Sequence, residues 1–105
     1  MAKETTVTLK GASGKIYSFD VFPWGTSFKP LGAVYTVLKK NSPNFSIQYI
    51  GETGDLSTRF DNHHKQGCFD RNGKTYIAVH LESSGSVRLT KEADLVNSYK
   101  PGCNS

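Results

Sequence analysis

The stretch from Gln48 to His63 reads QYIGETGDLSTRFDNH, and the rest of the chain is best interpreted around it. Its pattern predicts a short strand, a glycine-bearing turn and a helix that runs to about His64. Asp55 is a favourable N-cap for this helix, because its carboxylate can accept hydrogen bonds from the unpaired amides of the first turn.

One face of this predicted helix mixes apolar and polar side chains. At about 100° per residue, a helix places positions i, i+3, i+4 and i+7 on one side. Here these positions hold Leu56, Arg59, Phe60 and His63. Leu56 and Phe60 need a core. Arg59 and His63 either extend to solvent at the edge of the helix or contact an anionic group, and the spacing leaves both alternatives open.

The length and charge of the chain set broad limits on its class. Its 105 residues predict one domain with one modest core. The formal net charge of +4 permits phosphate contacts with nucleic acid without requiring them. No apolar run approaches a membrane span, and the first six residues lack the apolar segment of a signal peptide. We therefore expect a cytoplasmic protein without a membrane partner.

The chain contains two cysteines, Cys68 and Cys103. Secreted frameworks of this size usually hold more, so we expect free thiols in a reducing compartment. A zinc site that combines these cysteines with His63 and His64 is the alternative, but the spacing fits no standard pattern of paired ligands.

Alternating polar and apolar residues at 6–10 and 15–21 predict a β-hairpin with a glycine-containing turn. In the loop at 22–30, Trp24 and Phe28 are expected to cover the core rather than stack on bases. Residues 65–73 are expected to form a basic loop. The other predicted elements are strands at 32–38, 45–50 and 74–82, and a helix from Val87 to about Tyr99 that Ser86 caps.

The final predicted helix carries a carboxylate within an apolar arc. The same angular count places Glu92 near the middle of an arc formed by Leu89, Ala93, Leu95, Val96 and Tyr99. An inward carboxylate is costly unless it is paired or holds a cation. Two interpretations of Glu92 stay open: a buried ion pair, for example with Arg59, or a metal ligand.

These residues resemble the GIY-YIG endonuclease domain. Residues 33–35 read AVY, with alanine where the family usually has glycine, and residues 49–51 read YIG, which matches the second signature unaltered. Arg59 follows Tyr49 at the spacing that the family uses for its arginine. His63 lies one helical turn later, where the family has histidine or tyrosine.

The resemblance continues to the end of the chain and covers Gly32 to Asn104. Glu92 lies on the C-terminal helix, as the family's metal-binding glutamate does. Asn104 completes the terminal Pro-x-x-Asn pattern. Six positions in the expected order on the expected elements make this a specific match, although each motif alone is weak.

The resemblance implies an α/β fold of the α+β kind, in which helices flank a central three-stranded antiparallel sheet. Residues 32–104 would form this core within a single domain, and residues 1–31 would add an N-terminal β-hairpin and an aromatic loop. The implied activity is hydrolysis of DNA phosphodiester bonds with one Mg²⁺ or Mn²⁺, in repair, recombination or restriction.

The resemblance also implies roles for single residues. Arg59 would donate paired hydrogen bonds to the phosphate. Glu92 would supply a hard oxygen ligand to the cation. Asn104 would orient groups through its amide or anchor the end of the chain near the site.

Three further residues would surround the attacking water, namely Tyr35, Tyr49 and His63. A tyrosine beside a cation or an arginine can have a lowered pKa and act as the general base. The sequence does not show which tyrosine would take the proton.

Two departures from the family pattern bear on function. Glu52 stands where excision-repair relatives carry lysine, so an extra carboxylate would repel phosphate or alter metal binding. The chain carries no appended DNA-binding module, which implies low sequence specificity, oligomerisation or a protein partner.

The alternative to a nuclease is a module that binds branched or single-stranded nucleic acid without cutting it, or a protein-interaction scaffold. In a binding module, basic side chains would carry most of the affinity. The candidates for contact with nucleic acid are Lys39, Lys40, Lys65, Arg71 and Lys74.

Overall fold

The computed structural model describes residues 5–41, 44–60, 65–73 and 75–104. The strands are β1 (Thr5–Lys10), β2 (Ile16–Pro23), β3 (Ala33–Asn41), β4 (Asn44–Thr53) and β5 (Tyr76–Leu81). The helices are α1 (Leu56–Arg59), α2 (Gln66–Asn72) and α3 (Gly85–Tyr99), followed by a 3₁₀ turn at Gly102–Asn104. This mixture confirms the α+β class.

All five strands form one antiparallel sheet in the order β1-β2-β5-β3-β4. The three predicted central strands are adjacent as β5-β3-β4. The sheet nevertheless has five strands rather than three, because the N-terminal hairpin joins it. Residues 20–23 of β2 pair with residues 76–79 of β5, so the hairpin extends the sheet. This pairing places β4 at one edge of the sheet and β1 at the other.

The two faces of the sheet hold different parts of the core. Side chains on one face pack with Leu95 of α3; the fully buried ones there include Phe19, Val21, Val34 and Ile50. The opposite face, which we call the α2 face, packs against α1, α2 and the 3₁₀ turn; its buried residues are Ala33, Tyr35, Val37, Tyr49, Leu56, Phe69, Ile77, Val79 and Cys103.

The aromatic loop covers the α2 face, as predicted. The Trp24 ring makes edge contacts with Phe60 and Phe69 at centroid distances of 5.8 and 6.0 Å. Phe28 contacts Phe22 and Phe60 at 5.3 and 6.0 Å. These rings complete the core beside α1.

The helix after β4 is shorter than predicted. Asp55 is its N-cap as expected, and its carboxylate accepts from the Ser57 N–H at 2.9 Å. The helix ends at Arg59, and Phe60 is its C-cap. The predicted continuation at 61–64, which includes His63, lies outside the described residues.

The prediction of a basic loop at 65–73 is wrong, because α2 forms there. Lys65 gives this helix no side-chain cap, and Gly73 ends it in the left-handed conformation. Local sequence therefore favours the helix weakly. Phe69 is fully buried on the sheet, and this tertiary contact stabilises what the local pattern does not indicate.

The orientation of α3 also differs from the prediction. Its N-cap is Ser84 rather than Ser86, and Ser84 accepts from the Val87 N–H at 3.4 Å. Leu89 and Tyr99 are 56% and 39% exposed and Ala93 is exposed, whereas Leu95 and Val96 pack in the core, so only part of the predicted apolar arc faces the sheet. Leu95 is the fully buried residue of this helix.

Polar contacts complete the attachment of α3 to the N-terminal hairpin. The Asp94 carboxylate accepts from the Ser13 N–H at 2.8 Å, the Ser13 hydroxyl at 2.7 Å and the Tyr17 hydroxyl at 2.8 Å. These bonds hold the pKa of Asp94 below its ordinary value. The hairpin therefore fixes the helix that carries Glu92.

The prediction of free thiols is wrong, because Cys68 and Cys103 form a disulfide with their Cα atoms 5.9 Å apart. The bond joins α2 to the 3₁₀ turn. A zinc site that uses both thiolates is therefore incompatible with this structure.

Candidate active site

Asn104, one of the predicted site residues, lies at the outer edge of β4. Asn104 caps this edge at Ile50: the Ile50 N–H donates to Asn104 Oδ1 at 2.9 Å, and Asn104 Nδ2 donates to the Ile50 carbonyl at 2.8 Å. The asparagine thus satisfies two backbone groups of an edge strand and anchors the end of the chain beside Tyr49.

Two tyrosines and an arginine meet next to this anchor. Arg59 Nε donates to the Tyr35 hydroxyl at 2.9 Å. The Tyr49 ring lies 6.0 Å from the Tyr35 ring between centroids, and the charge on Arg59 opposes the rise in the pKa of Tyr49 that burial causes. Phe60 packs edge-on against the Tyr35 ring at 4.9 Å and forms an apolar wall of the cluster. The side chains of β3, β4 and α1 therefore converge on one point.

Gly51 makes this convergence possible. It is the cross-strand partner of Tyr35, whose ring passes over it. A Cβ at position 51 would lie 2.7 Å from the Tyr35 hydroxyl oxygen and 2.7 Å from Cε2 of Tyr49. Both atoms belong to buried side chains, so a larger residue would displace the two phenols.

Glu92 reaches the same edge from α3. The Glu52 backbone, two residues beyond the position that Asn104 caps, lies near enough to the Glu92 carboxylate to lower its pKa. Among the described residues, Glu92 forms no ion pair with Arg59, whose charge has only a minor effect on it. The ion-pair interpretation of Glu92 therefore finds no support here.

The protonation of the cluster differs from the expectation of a lowered tyrosine pKa. Burial raises the pKa of Tyr35 and of Tyr49, and this effect exceeds the opposite effect of Arg59. Burial, followed by the Glu52 carboxylate, also raises the pKa of Glu92. Burial opposes the charge on Arg59, but the two tyrosines raise its pKa overall. At neutral pH the cluster holds two neutral phenols beside a guanidinium.

Five of the six predicted site residues thus lie together: Tyr35, Tyr49, Arg59, Glu92 and Asn104. The sixth, His63, is not described. The predicted nucleic-acid contacts are more scattered. Lys65 and Arg71 flank or belong to α2, and the Lys39 side chain lies near its C-cap Gly73. Lys40 lies instead over the Tyr76 ring at 5.9 Å, and Lys74 is outside the described residues.

The sequence interpretation missed Arg88, which lies one helical turn before Glu92. Its Nε donates to Glu52 Oε1 at 2.9 Å. The i, i+4 spacing from Glu92 was the available signal, since it places both side chains on one face of the helix. That signal was hidden because the predicted arc was built from apolar residues alone.

An apolar cleft of about 440 Å³ lies on the α2 face beyond α1 and shares no residue with this cluster. Its apolar walls are Phe22, Phe28, Leu31, Leu56, Val79 and Leu81. Polar side chains also line this cleft, among them Lys29 and His80. The cluster at β4 instead brings an arginine, a carboxylate and two phenols together, so it is the better candidate for reaction chemistry.

The donor chemistry of the cluster fits a hard cation. Carboxylate and hydroxyl oxygens are the ligands that Mg²⁺ and Mn²⁺ prefer, and Mg²⁺ commonly keeps several waters beside one or two carboxylates. Within the described ranges, no three His, Cys, Asp or Glu side chains form a group that could enclose a metal. Glu92 is the carboxylate of this cluster that could hold such a cation.

Comparisons with protein families, with curated proteins and with solved structures give no match to this chain. In the part of the chain that the structure describes, no helix has both the length and the apolar character needed to cross a membrane.

Proposed function

We propose that this protein is a metal-dependent endonuclease that hydrolyses DNA phosphodiester bonds with low sequence specificity. One observation carries the proposal: Tyr35, Tyr49, Arg59 and Glu92 come from four different elements and meet at the edge of β4 that Asn104 caps. A fold does not need this convergence of a cation, a carboxylate and two phenols for stability, since burying such groups is costly.

Each group suits a part of phosphodiester hydrolysis. The Arg59 guanidinium, fixed by Tyr35, would hold the phosphate and balance the charge that develops on it. Glu92 would hold Mg²⁺ or Mn²⁺, which when bound polarises the phosphate and stabilises the leaving oxygen. Asn104 holds strand β4, and with it Tyr49, in place.

The tyrosines would act first as neutral phenols. Their hydroxyl groups can orient an attacking water and donate hydrogen bonds to phosphate oxygens. A role as general base requires the loss of a phenolic proton, which burial disfavours in the protein alone. The positive charge of a bound cation would oppose that effect of burial.

The test is a nicking assay on plasmid and branched DNA with Mg²⁺ or Mn²⁺. We expect Arg59→Ala to lower the rate by about 10²–10³, the usual cost of removing a preorganised donor to a developing anion. Arg59→Lys should restore part of the loss at most, because lysine lacks the planar fork. Lys15→Ala removes the same charge from the distant β1-β2 hairpin and serves as the control.

Equal rates for Arg59→Ala and the parent across a range of metal concentrations would reject the proposal. Circular dichroism of each variant would separate loss of chemistry from loss of fold.

The second candidate is a module that binds branched or single-stranded DNA without cutting it. One observation favours it: burial leaves neither Tyr35 nor Tyr49 as a ready base. Retained DNA binding with no metal-dependent nicking in the parent would support this function. In either case, low specificity would require an oligomer or a protein partner for target choice, and a cytoplasmic location remains part of the proposal.

A further inference from the structure

Arg88 joins α3 to the ends of two strands. Besides its bond to Glu52, Arg88 Nη1 donates to the carbonyls of Glu82 and Ser83, both at 3.0 Å. The Arg88 side chain is only 12% exposed. It therefore links the end of β4 and the end of β5 to the first turn of α3.

Glycines leave room for the guanidinium at this junction. A Cβ at Gly32 would lie 2.4 Å from Arg88 Nη1, and one at Gly54 or Gly85 would lie 3.4 Å from Nη2. The guanidinium thus occupies a space that backbone from three segments encloses. Its position is closely determined, unlike that of a solvent-exposed arginine.

Two residues on one face of α3 lie beside Glu52. Arg88 binds the Glu52 carboxylate, and Glu92 follows one helical turn later. The negative charge of the Glu52 carboxylate raises the pKa of Glu92. Without Arg88, Glu52 would be an uncompensated carboxylate beside the proposed cation ligand.

We propose that Arg88 is a positioning residue that binds the Glu52 carboxylate and keeps it out of the cation site, so that Glu92 is the sole protein carboxylate there. This inference rests on the proposed function. Each carboxylate that binds the metal occupies a coordination site that phosphate or water would need. By holding Glu52 away, Arg88 would leave those coordination sites free even though a glutamate follows the YIG motif.

The test measures Mn²⁺ binding by calorimetry without DNA, so its readout is independent of turnover. In Arg88→Met, Glu52 is released and becomes a second ligand. We expect the Mn²⁺ Kd to fall by about tenfold, because affinity for a hard cation rises with the number of charged oxygen ligands. The nicking kcat should fall as well, because the added ligand displaces substrate or water.

Three variants isolate the cause. Arg88→Met combined with Glu52→Gln should return the Kd to near the parent value, since the added ligand is removed. Arg88→Lys keeps the ion pair and should stay near the parent. Lys15→Met removes one positive charge from the distant β1-β2 hairpin, and it should also stay near the parent if the effect is local.

The outcomes distinguish this inference from the proposed function. A parent that neither binds Mn²⁺ nor nicks DNA overturns both. A parent that binds and nicks, with Arg88→Met binding Mn²⁺ equally or more weakly, overturns the role of Arg88 alone. Tighter binding that persists in the double variant also overturns it, because Glu52 would not be the added ligand.

Discussion

Gly51 shows how one missing side chain shapes the candidate site. Because the Tyr35 ring crosses it, alanine at this position would displace two buried phenols. We expect Gly51→Ala to lower the free energy of unfolding by about 1–3 kcal/mol, the usual cost of overpacking. Thermal melts measure this change.

Gly102→Ala is the matched control for that substitution. A Cβ at Gly102 meets no atom within 4 Å, and this glycine has no left-handed backbone conformation. Equal melting temperatures for Gly51→Ala and the control would contradict the close contact between Gly51 and the tyrosines.

Glu92 gives a pH-dependent prediction at the same scale. Its pKa in the folded protein is raised above the ordinary value of 4.5, first by burial and then by Glu52. A group with a raised folded-state pKa stabilises the fold below its unfolded pKa, and this contribution is lost as the pH rises through the folded pKa. We expect Glu92→Gln, without metal, to melt above the parent at about pH 7 and to lose that advantage at about pH 4.

Glu82→Gln should have the opposite effect on the melting temperature and melt below the parent at about pH 7. Its hydrogen bond from Lys91 lowers the pKa of Glu82, so loss of that carboxylate removes a favourable contact at neutral pH. A Glu92→Gln variant that melts below the parent near neutral pH would instead indicate a structural role for the carboxylate.

At the scale of elements, the disulfide joins two pieces that are weak by themselves. Helix α2 has seven residues and no side-chain N-cap, and the 3₁₀ turn has three residues. Their cysteines are 35 residues apart in sequence. Replacing both cysteines by serine should cost about 4 kcal/mol of unfolding free energy, as for closure of a loop of this length.

Denaturant unfolding measures that cost, and the parent in a dithiol reductant should match the double variant. Alkylation of the protein isolated without reductant reports the natural state of the pair. Two alkylated cysteines would contradict the bond and agree with the expected cytoplasmic location, since disulfides are rare in the cytosol.

At the scale of the whole molecule, the sheet separates two sets of basic residues. Lys39 and Arg71 lie on the side of β4 and α2. Lys10 and Lys15 lie on the β1-β2 hairpin, whose strand β1 forms the opposite edge of the sheet. We expect Lys39→Gln with Arg71→Gln to reduce the slope of log K against log salt for DNA binding by about 1–2, since each phosphate contact contributes about 0.9.

Fluorescence anisotropy without divalent cation measures this slope, and Lys10→Gln with Lys15→Gln removes the same charge at the opposite edge. If the slope falls equally in the two double variants, net charge determines DNA binding, rather than a surface next to the candidate site.

The sequence by itself determined the features that depend on neighbouring residues. Alternation of apolar and polar residues located β1 and β2, because side chains of a strand point to opposite faces at a period of two, and the apolar and β-branched content of residues 32–38 located β3. Asp55 was identified as an N-cap because capping acts within three residues. The resemblance to a known domain selected Tyr35, Tyr49, Arg59, Glu92 and Asn104, which the fold then places together.

Only the tertiary structure decided the features that join distant segments. Helix α2 is stabilised by the burial of Phe69 against the sheet and by the disulfide between Cys68 and Cys103. The residues that contact this helix are distant in the sequence, so the local pattern does not indicate them. The inward face of α3 was predicted only in part. Arg88 and Asp94 also determine it, and their partners Glu52, Ser13 and Tyr17 are distant in the sequence. Polar contacts such as that between Glu52 and Arg88 join residues 36 positions apart. No hydrophobic periodicity encodes such pairs, because their stability depends on the geometry that the whole fold creates.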